Sequence, residues 1–485
     1  MSTPTLPFRP RLADHAMPRR HTMDGVEVVV VHDARTGDLL RMPPRAWELM
    51  EAADGTRDLD GLLLAASQKG QLYQSSEVVS VLTDLMAAGL LTDGIDPFAL
   101  EEAESVCDPE TALEVLPFLL VCDGSGACCS AYNTIRFSNQ EAERARALLP
   151  MLSDGYAKRF MPLAGSGAQK SCAAPMVNGG CSYLSESGKC EIHRVFGMAA
   201  KPAGCAVYPA TFVYDGEVVR VSLGVECACV AKSIASKIGE PLVPAGATLR
   251  GDLPKDVQIG VVPNTIVLAE GLTCSREEFL RWSKVVTSTL RRWAPLEGSD
   301  LPVWSMAFSH DVVSICWQLS TTVADSNFVG GEKVRAIQPD VPPSHAEVLP
   351  WIAALANRMT AKHESAVRWR SEHDNVRATI SVLTKAAKSL LDEDVLALVL
   401  AGEGANRKVE SFYLTAAIHG HQLVGDVPVS LALRDRAIRI LLSRAVCLLP
   451  RENELPESLA TYPLPAVESV MRAQGGKEYL RDLQK

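Results

Sequence analysis

Nine of the thirteen cysteines in this 485-residue chain fall between Cys122 and Cys229, and that gathering is its strongest chemical signal. Cys122 precedes the adjacent pair Cys128-Cys129 in the run Cys-Asp-Gly-Ser-Gly-Ala-Cys-Cys, where Gly124 and Gly126 let the backbone fold tightly enough for thiolates to converge. Cys172, Cys181 and Cys190 follow at equal spacing, then Cys205 between Pro202 and Pro209, then Cys227-Ala228-Cys229. Soft, deprotonated sulfur ligands carried on loops flanked by Gly and Pro are what a metal centre needs. All nine are therefore candidate metal ligands. More than four thiols favours an iron–sulfur cluster with spare cysteines, or two sites. Zinc, which four thiolates also suit, is the alternative.

Disulfides would be the competing use. Met1–Arg20 has no apolar stretch of the kind that directs export, so a cytoplasmic chain with reduced thiols is expected. Adjacent cysteines such as Cys128 and Cys129 are also poorly placed to bridge each other. The other cysteines lie outside these motifs, and Cys316 and Cys447 sit in apolar runs that suggest core positions. His193, three residues after Cys190, reads as a surface or packing residue. So do His419 and His421, whose two-residue spacing puts them on different faces of a helix. Leu398–Gly404 reads as a glycine turn between helices.

Composition narrows the partners. A net charge of −10 and a pI near 5.6 argue against nucleic acid, which needs a basic face. No run approaches eighteen apolar residues, so no membrane span is expected. With 47% apolar and 22% charged residues the chain is of ordinary globular type.

The elements that must position the cysteines are legible in outline. Residues 1–25 look like a flexible tail. Val26–Val31 reads as a strand, Leu39–Met42 as its return, and Pro44–Glu51, Asp58–Gln68 and Ser76–Ala88 as helices, the last stopped by Gly89. Residues 26–95 then form a small winged-helix-like module. Residues 96–115 read as a linker, 116–232 as the cysteine-cluster domain, and 233–265, rich in Pro and Gly, as a second linker. A helical domain spans 266–485. It opens on the capping box Ser275–Glu278 before Phe279–Trp293, and continues through His345–Trp369, Val376–Leu391, Phe412–Leu423 and Leu431–Leu449. The expected class is α+β, mostly helical.

Three resemblances rest on these residues. The strand pair Val28–Met42, then Ala46-Trp47-Glu48-Leu49, Asp54-Gly55-Thr56-Arg57 and Val81–Leu91 resemble the PqqD family. That likeness implies a module, residues 26–95, that docks a peptide or protein substrate by strand addition. Cys122…Cys128-Cys129, Cys181-Ser182-Tyr183-Leu184, Gly188-Lys189-Cys190-Glu191-Ile192-His193, Lys201-Pro202…Cys205 and Tyr208-Pro209 resemble the YkgJ-type cysteine-cluster family of zinc- or iron-chelating domains. Members commonly carry a further cysteine in the stretch where this chain has Ser125. The same cysteines followed by a long helical region are similar to the FliB-type flagellin lysine N-methylases. That likeness implies an iron–sulfur cluster and methyl transfer from S-adenosylmethionine to lysine. It assigns no catalytic or cofactor-binding residue here. The non-enzymatic alternatives are an iron or redox sensor and an interaction protein with structural zinc.

Overall fold

The computed structural model describes the chain apart from residues 1–5, 69–71, 95–106, 125, 127–131, 133, 150–159, 164–170, 186, 235, 237, 256, 294–307, 326–333, 335–336, 340, 369–373, 426, 451–461, 474–478 and 484–485. The fold is mixed α and β, with 47% helix against 19% strand. It divides into two compact units. The first comprises Met1–Glu104, Ser125–Pro202 and Ala473–Gly475, and the second Ser105–Gly124, Ala203–Arg472 and Gly476–Lys485.

The chain enters the first unit through β1 (Pro10–Leu12), β2 (Ala16–Met23), β3 (Val26–Asp33) and β4 (Leu39–Met42). The helices α1 (Pro44–Met50), α2 (Leu59–Gln68) and α3 (Ser75–Ala87) follow, then β5 (Leu91–Asp93). β2 and β3 pair antiparallel from Ala16↔Asp33 to Met23↔Val26. Asp24 and Gly25 both take positive φ, the mirror-image turn whose twist matches that of paired strands. Residues 1–25 are therefore not simply a tail: β1 and β2 lie within them. Pro18, Arg19, Arg20, His21 and Thr22 gave β2 a polar look, yet Arg19 and His21 are fully buried. His21 Nε2 accepts the Gly179 N–H at 3.0 Å. The helix ends match expectation better. Gly89 (φ +68°) follows α3, with Gly89 N–H bonded to Met86 O and Leu90 N–H to Leu85 O, so the helix closes on a left-handed glycine.

The chain next gives the second unit β6 (Leu113–Val115) and β7 (Leu119–Leu120). It returns to the first with β8 (Arg136–Ser138), α4 (Asn139–Leu148), β9 (Met161–Pro162), β10 (Ser171–Ala173), β11 (Met176–Val177), β12 (Gly180–Cys181) and α5 (Glu191–Phe196). β11 pairs parallel with β2, through Met176↔His21 and Val177↔Thr22. The resulting sheet has the order β12-β11-β2-β3-β4. The segment read as a module and part of the cysteine segment thus share one sheet, a long-range pairing that local pattern cannot reveal.

From Ala203 the chain stays mainly in the second unit. It forms α6 (Ala203–Val207), β13 (Ala210–Tyr214), β14 (Val219–Leu223), α7 (Ala228–Ser233), β15 (Glu240–Pro241), β16 (Gly260–Val261), β17 (Thr265–Ala269) and β18 (Leu272–Ser275). β6 and β16 flank the β13–β14 hairpin, and β15 pairs with β7. Both stretches read as linkers, 96–115 and 233–265, therefore contribute strands. These strands are two or three residues long, too short to show alternation. The helices are α8 (Arg276–Trp293), α9 (Val312–Val323), α10 (His345–Arg368), α11 (Asp374–Ser389), α12 (Glu393–Leu400), α13 (Arg407–His419), α14 (Val429–Leu448), α15 (Pro463–Ala473) and α16 (Tyr479–Asp482). The Ser275–Glu278 box forms as expected, Ser275 N–H to Glu278 Oε2 at 2.8 Å and Glu278 N–H to Ser275 Oγ at 3.3 Å. α9 was not foreseen. It is buried on most sides, so it lacks the polar face that produces a helical period.

α14 is the core helix of this unit. Its buried Arg439 and Arg444 are paired with acids inside. Arg439 donates to Asp435 Oδ2 and Glu468 Oε1, each at 2.5 Å, while Tyr413 and Tyr479 hydroxyls donate to Glu468 and Asp435. Burial works to raise the Glu468 carboxyl, but the neighbouring guanidinium groups of Arg439 and Arg436 outweigh it and hold it down at about 2. Arg444 holds Glu410 with two bonds (3.0 and 2.7 Å), Asp311 at 2.6 Å and the Val399 carbonyl at 2.9 Å. Removing one partner of such a set leaves charge buried without compensation. Arg439→Met is expected to destabilise the second unit by about 3–5 kcal/mol, read as a lowered midpoint in urea unfolding. An unchanged midpoint would show that the cluster contributes nothing.

Candidate metal centre

In the second unit Cys229 has Cys122 on one side and Cys227 on the other as neighbours. Cys122 follows β7 and is exposed; Cys227 precedes α7 and Cys229 lies in its first turn. α7 clamps the loop that carries Cys122. The Val121 N–H donates to Ser233 Oγ at 2.9 Å, and the same hydroxyl donates to the Cys229 carbonyl at 2.7 Å. One residue earlier, Lys232 Nζ pairs with Asp123 Oδ2 at 2.8 Å. Two neighbouring side chains of α7 thus hold the residues on both sides of Cys122, Ser233 through the Val121 backbone and Lys232 through the Asp123 side chain. Gly124, at φ +68°, then turns the chain.

Cys122 neighbours Cys229, and Cys229 neighbours Cys227, closely enough for each thiol to shift the next. Donation to Cys229, and then burial, push the Cys122 thiol far above its usual value. At Cys229 the bond from Cys122 pulls down, but the contact with Cys227 and burial prevail, and the thiol rises to about 12. With no cation present Cys122 and Cys229 hold their protons. A thiophilic cation reverses that balance, because coordination deprotonates a thiol outright.

The other candidates divide between the units. Cys205 lies in α6 of the second. Cys172, Cys181 and Cys190 belong to the first. Cys172, on β10, donates to Asn139 Oδ1 at 2.9 Å; burial raises its thiol, with Arg146 and Glu143 as its charged neighbours. Cys181 is buried on β12. Cys190 starts α5, held by a bridge to Leu184 and by the Glu191 N–H on the Tyr183 carbonyl. Gly126 abuts the loop before Cys190 so closely that a Cβ there would stand 2.1 Å from the Gly188 carbonyl oxygen. Only glycine fits. Cys128 and Cys129 lie outside the described residues. Among the described residues no group of three or more His, Cys, Asp or Glu is already arranged to hold a metal ion.

His193 is exposed on α5. Cys316 is buried, but Cys447 is exposed near the end of α14, so its apolar sequence neighbours misplaced it. His419 and His421 are both buried, in a polar cluster that the sequence did not announce. Asp215, itself buried, receives Arg220 Nε at 2.7 Å and the backbone N–H groups of Glu217 and Val218. Burial opposes ionisation of Asp215, but the His421 ring and these donors outweigh it and hold the carboxyl well below its usual range. His421 Nε2 stands 3.6 Å from Asp215 Oδ2, and Phe279 packs edge-on against the ring. The signal was an Asp-Gly turn opening β14, which reads as turn chemistry and nothing more.

No family model, no curated protein and no solved structure matches this chain.

Burial lowers His419 from 6.5 to about 4. Between those values the unfolded chain binds the proton and the folded chain does not, so stability falls as pH drops through this window. The full loss from this residue is about 3 kcal/mol, reached below the folded value. Urea midpoints measured from pH 7 to 4 should fall, and His419→Gln should flatten the profile. An equally steep profile in the variant would remove His419 as the cause.

Proposed function

We propose that this chain is a metal-binding protein whose cysteine segment holds an iron–sulfur cluster and whose N-terminal module docks a peptide or protein substrate. The carrying observation is the neighbouring of Cys122, Cys229 and Cys227 at the start of an α7 whose Ser233 and Lys232 hold the opposite loop. The donor chemistry fits a thiophilic metal. Cys122, Cys227 and Cys229 would be ligands, and Cys205 of the same unit is a further candidate there; Cys128, Cys129, Cys172, Cys181 and Cys190 are separate candidates in the first unit. When bound, the cluster would bind or orient a small-molecule donor or would stabilise the fold.

The docking half of the reading is supported by the sheet order. β11 occupies the outer flank of β2, whereas β4 ends the sheet on the other side among the described residues. An extended peptide added there would continue the ladder beside β4. The reading of residues 26–95 as a docking module is supported by the strands β3, β4 and β5 and the helices α1 to α3 within them. The most concrete activity is the one implied by the likeness to lysine N-methylases, methyl transfer from S-adenosylmethionine to a docked lysine. A cytoplasmic location follows from the same reading, since thiolate ligands need reducing conditions. Among the described residues no helix is long and apolar enough to cross a membrane.

Metal analysis of anaerobically purified protein decides the first half. Iron and acid-labile sulfide are expected, with broad visible absorption; colourless protein carrying stoichiometric zinc would replace the cluster by a structural zinc site. Calorimetry with S-adenosylmethionine decides the enzymatic version. Saturable heat is expected from the metal-loaded protein, and its absence would leave a sensor or a structural protein.

A further inference from the structure

Two hairpin tips meet in the first unit. Asp24-Gly25 joins β2 to β3, Asn178-Gly179 joins β11 to β12, and all four residues take positive φ. The Asn178 N–H donates to the Thr22 carbonyl at 2.9 Å, which ties the second tip to β2. Two further bonds fall on the atoms of Asn178-Gly179 that can react with each other. The Gly179 N–H donates to His21 Nε2 at 3.0 Å, and His21 is fully buried. The Asp24 N–H donates to Asn178 Oδ1 at 3.1 Å. A backbone nitrogen thus faces a base, while the side-chain carbonyl it can attack faces a donor. Glycine leaves that nitrogen unshielded, because no Cβ stands beside it. Asn178 is exposed, so water can reach it and a small leaving group can depart. No other asparagine of the chain is followed by glycine. We propose that Asn178-Gly179 is a self-modifying site, where His21 as base and the Asp24 N–H as oxyanion donor convert Asn178 through a cyclic imide to aspartate and isoaspartate.

The Gly179 nitrogen attacks Asn178 Cγ while its proton passes to His21 Nε2. The carbonyl electron pair moves onto Oδ1, where the Asp24 N–H holds the developing negative charge. Collapse of this intermediate breaks the bond from Cγ to Nδ2. Nδ2 takes the proton from His21 and leaves as ammonia. Water then opens either carbonyl of the imide. Attack at Cγ gives aspartate, and attack at the backbone carbonyl gives an isoaspartyl link through the side chain. One amide and one water are consumed, one acid and one ammonia are formed, and no oxidant or reductant is needed. Bringing Cγ onto the nitrogen turns the tip out of its resting shape. Only the pairs Met176↔Cys181 and Val177↔Gly180 join β11 to β12, so little pairing opposes that motion. Isoaspartate lengthens the backbone of the turn, displacing the Gly179 N–H from His21 and loosening β11, the strand on the flank of β2. No cysteine takes part, so the site stands apart from the metal reading.

The test follows the full chain at neutral pH in heavy-oxygen water, folded and unfolded in urea, by mass spectrometry of the peptide spanning residues 171–189. The expected product carries one heavy oxygen at residue 178, appears as both aspartyl and isoaspartyl forms, and is matched by released ammonia. Its rate in the folded chain should exceed that in urea by about tenfold or more, a modest part of what a positioned base supplies. His21→Gln keeps an acceptor for the Gly179 N–H but no base, and should lower the folded rate by a similar factor; its urea midpoint reports whether the fold is kept. A natural chain that reacts no faster folded than unfolded would overturn the proposal. So would a folded His21→Gln variant that reacts at the full rate. If that variant does not fold, the folded-to-unfolded ratio of the natural chain decides alone.

Discussion

A helix enclosed on nearly every side has no surface on which to leave a charge, and α14 carries several. The second unit depends on how that conflict is resolved. Arg439 and Arg444 each meet two carboxylates with good geometry, and the carboxylates arrive from α9, α13, α14 and α15 or their caps. The ion pairs therefore act as registration marks. A helix shifted by one turn would leave a guanidinium without its acid, a cost of several kcal/mol. Asp311 shows the economy: one carboxylate caps α9 through the Ser314 N–H and receives Arg444 on its other oxygen.

The cysteine site is built on a smaller scale by the same logic. Thiols do not attract one another strongly enough to bring loops together. Ordinary hydrogen bonds do that work, from a serine hydroxyl shared between Val121 and Cys229 and from a lysine on Asp123. The site's scaffold is thus separable from its ligands: the backbone around Cys122 is held by groups that a metal would not touch. The buried Asp215, Arg220 and histidine cluster is the other polar investment of this unit, and it secures the β13–β14 hairpin against α13 through the bond from Ser222 Oγ to the Ala416 carbonyl.

How much of this could be read from the sequence follows from the range of the interactions. β3, β4, α1, α2, α3 and the start of α8 were legible within a residue or two, because turn chemistry, caps and period are local. β2 was hidden by its polar residues, although Asp24-Gly25 before the Val26 run was a hairpin signal. α9 was hidden by the opposite fault, being apolar without a period. The linkers concealed strands of two or three residues. The cysteine candidates were all visible as residues. Their partition was not: that Cys172 bonds Asn139, while Cys122 neighbours Cys229 in the first turn of α7, depends on pairings between segments far apart in the chain.

The parallel pairing of β11 with β2 has a consequence for how the chain is made. β2 emerges from the ribosome long before Met176 and Val177 exist to cover its flank. At about 5–20 residues per second, the roughly 150 intervening residues take on the order of 10 s to synthesise. Throughout that interval the nascent hairpin presents an uncovered edge with its backbone groups unpaired, a template for association with any neighbouring strand. Arg19, Arg20 and His21 lie on that edge. Their charge and polarity, which disguised the strand in the sequence, also keep the waiting edge apart from other nascent chains until its own partner arrives.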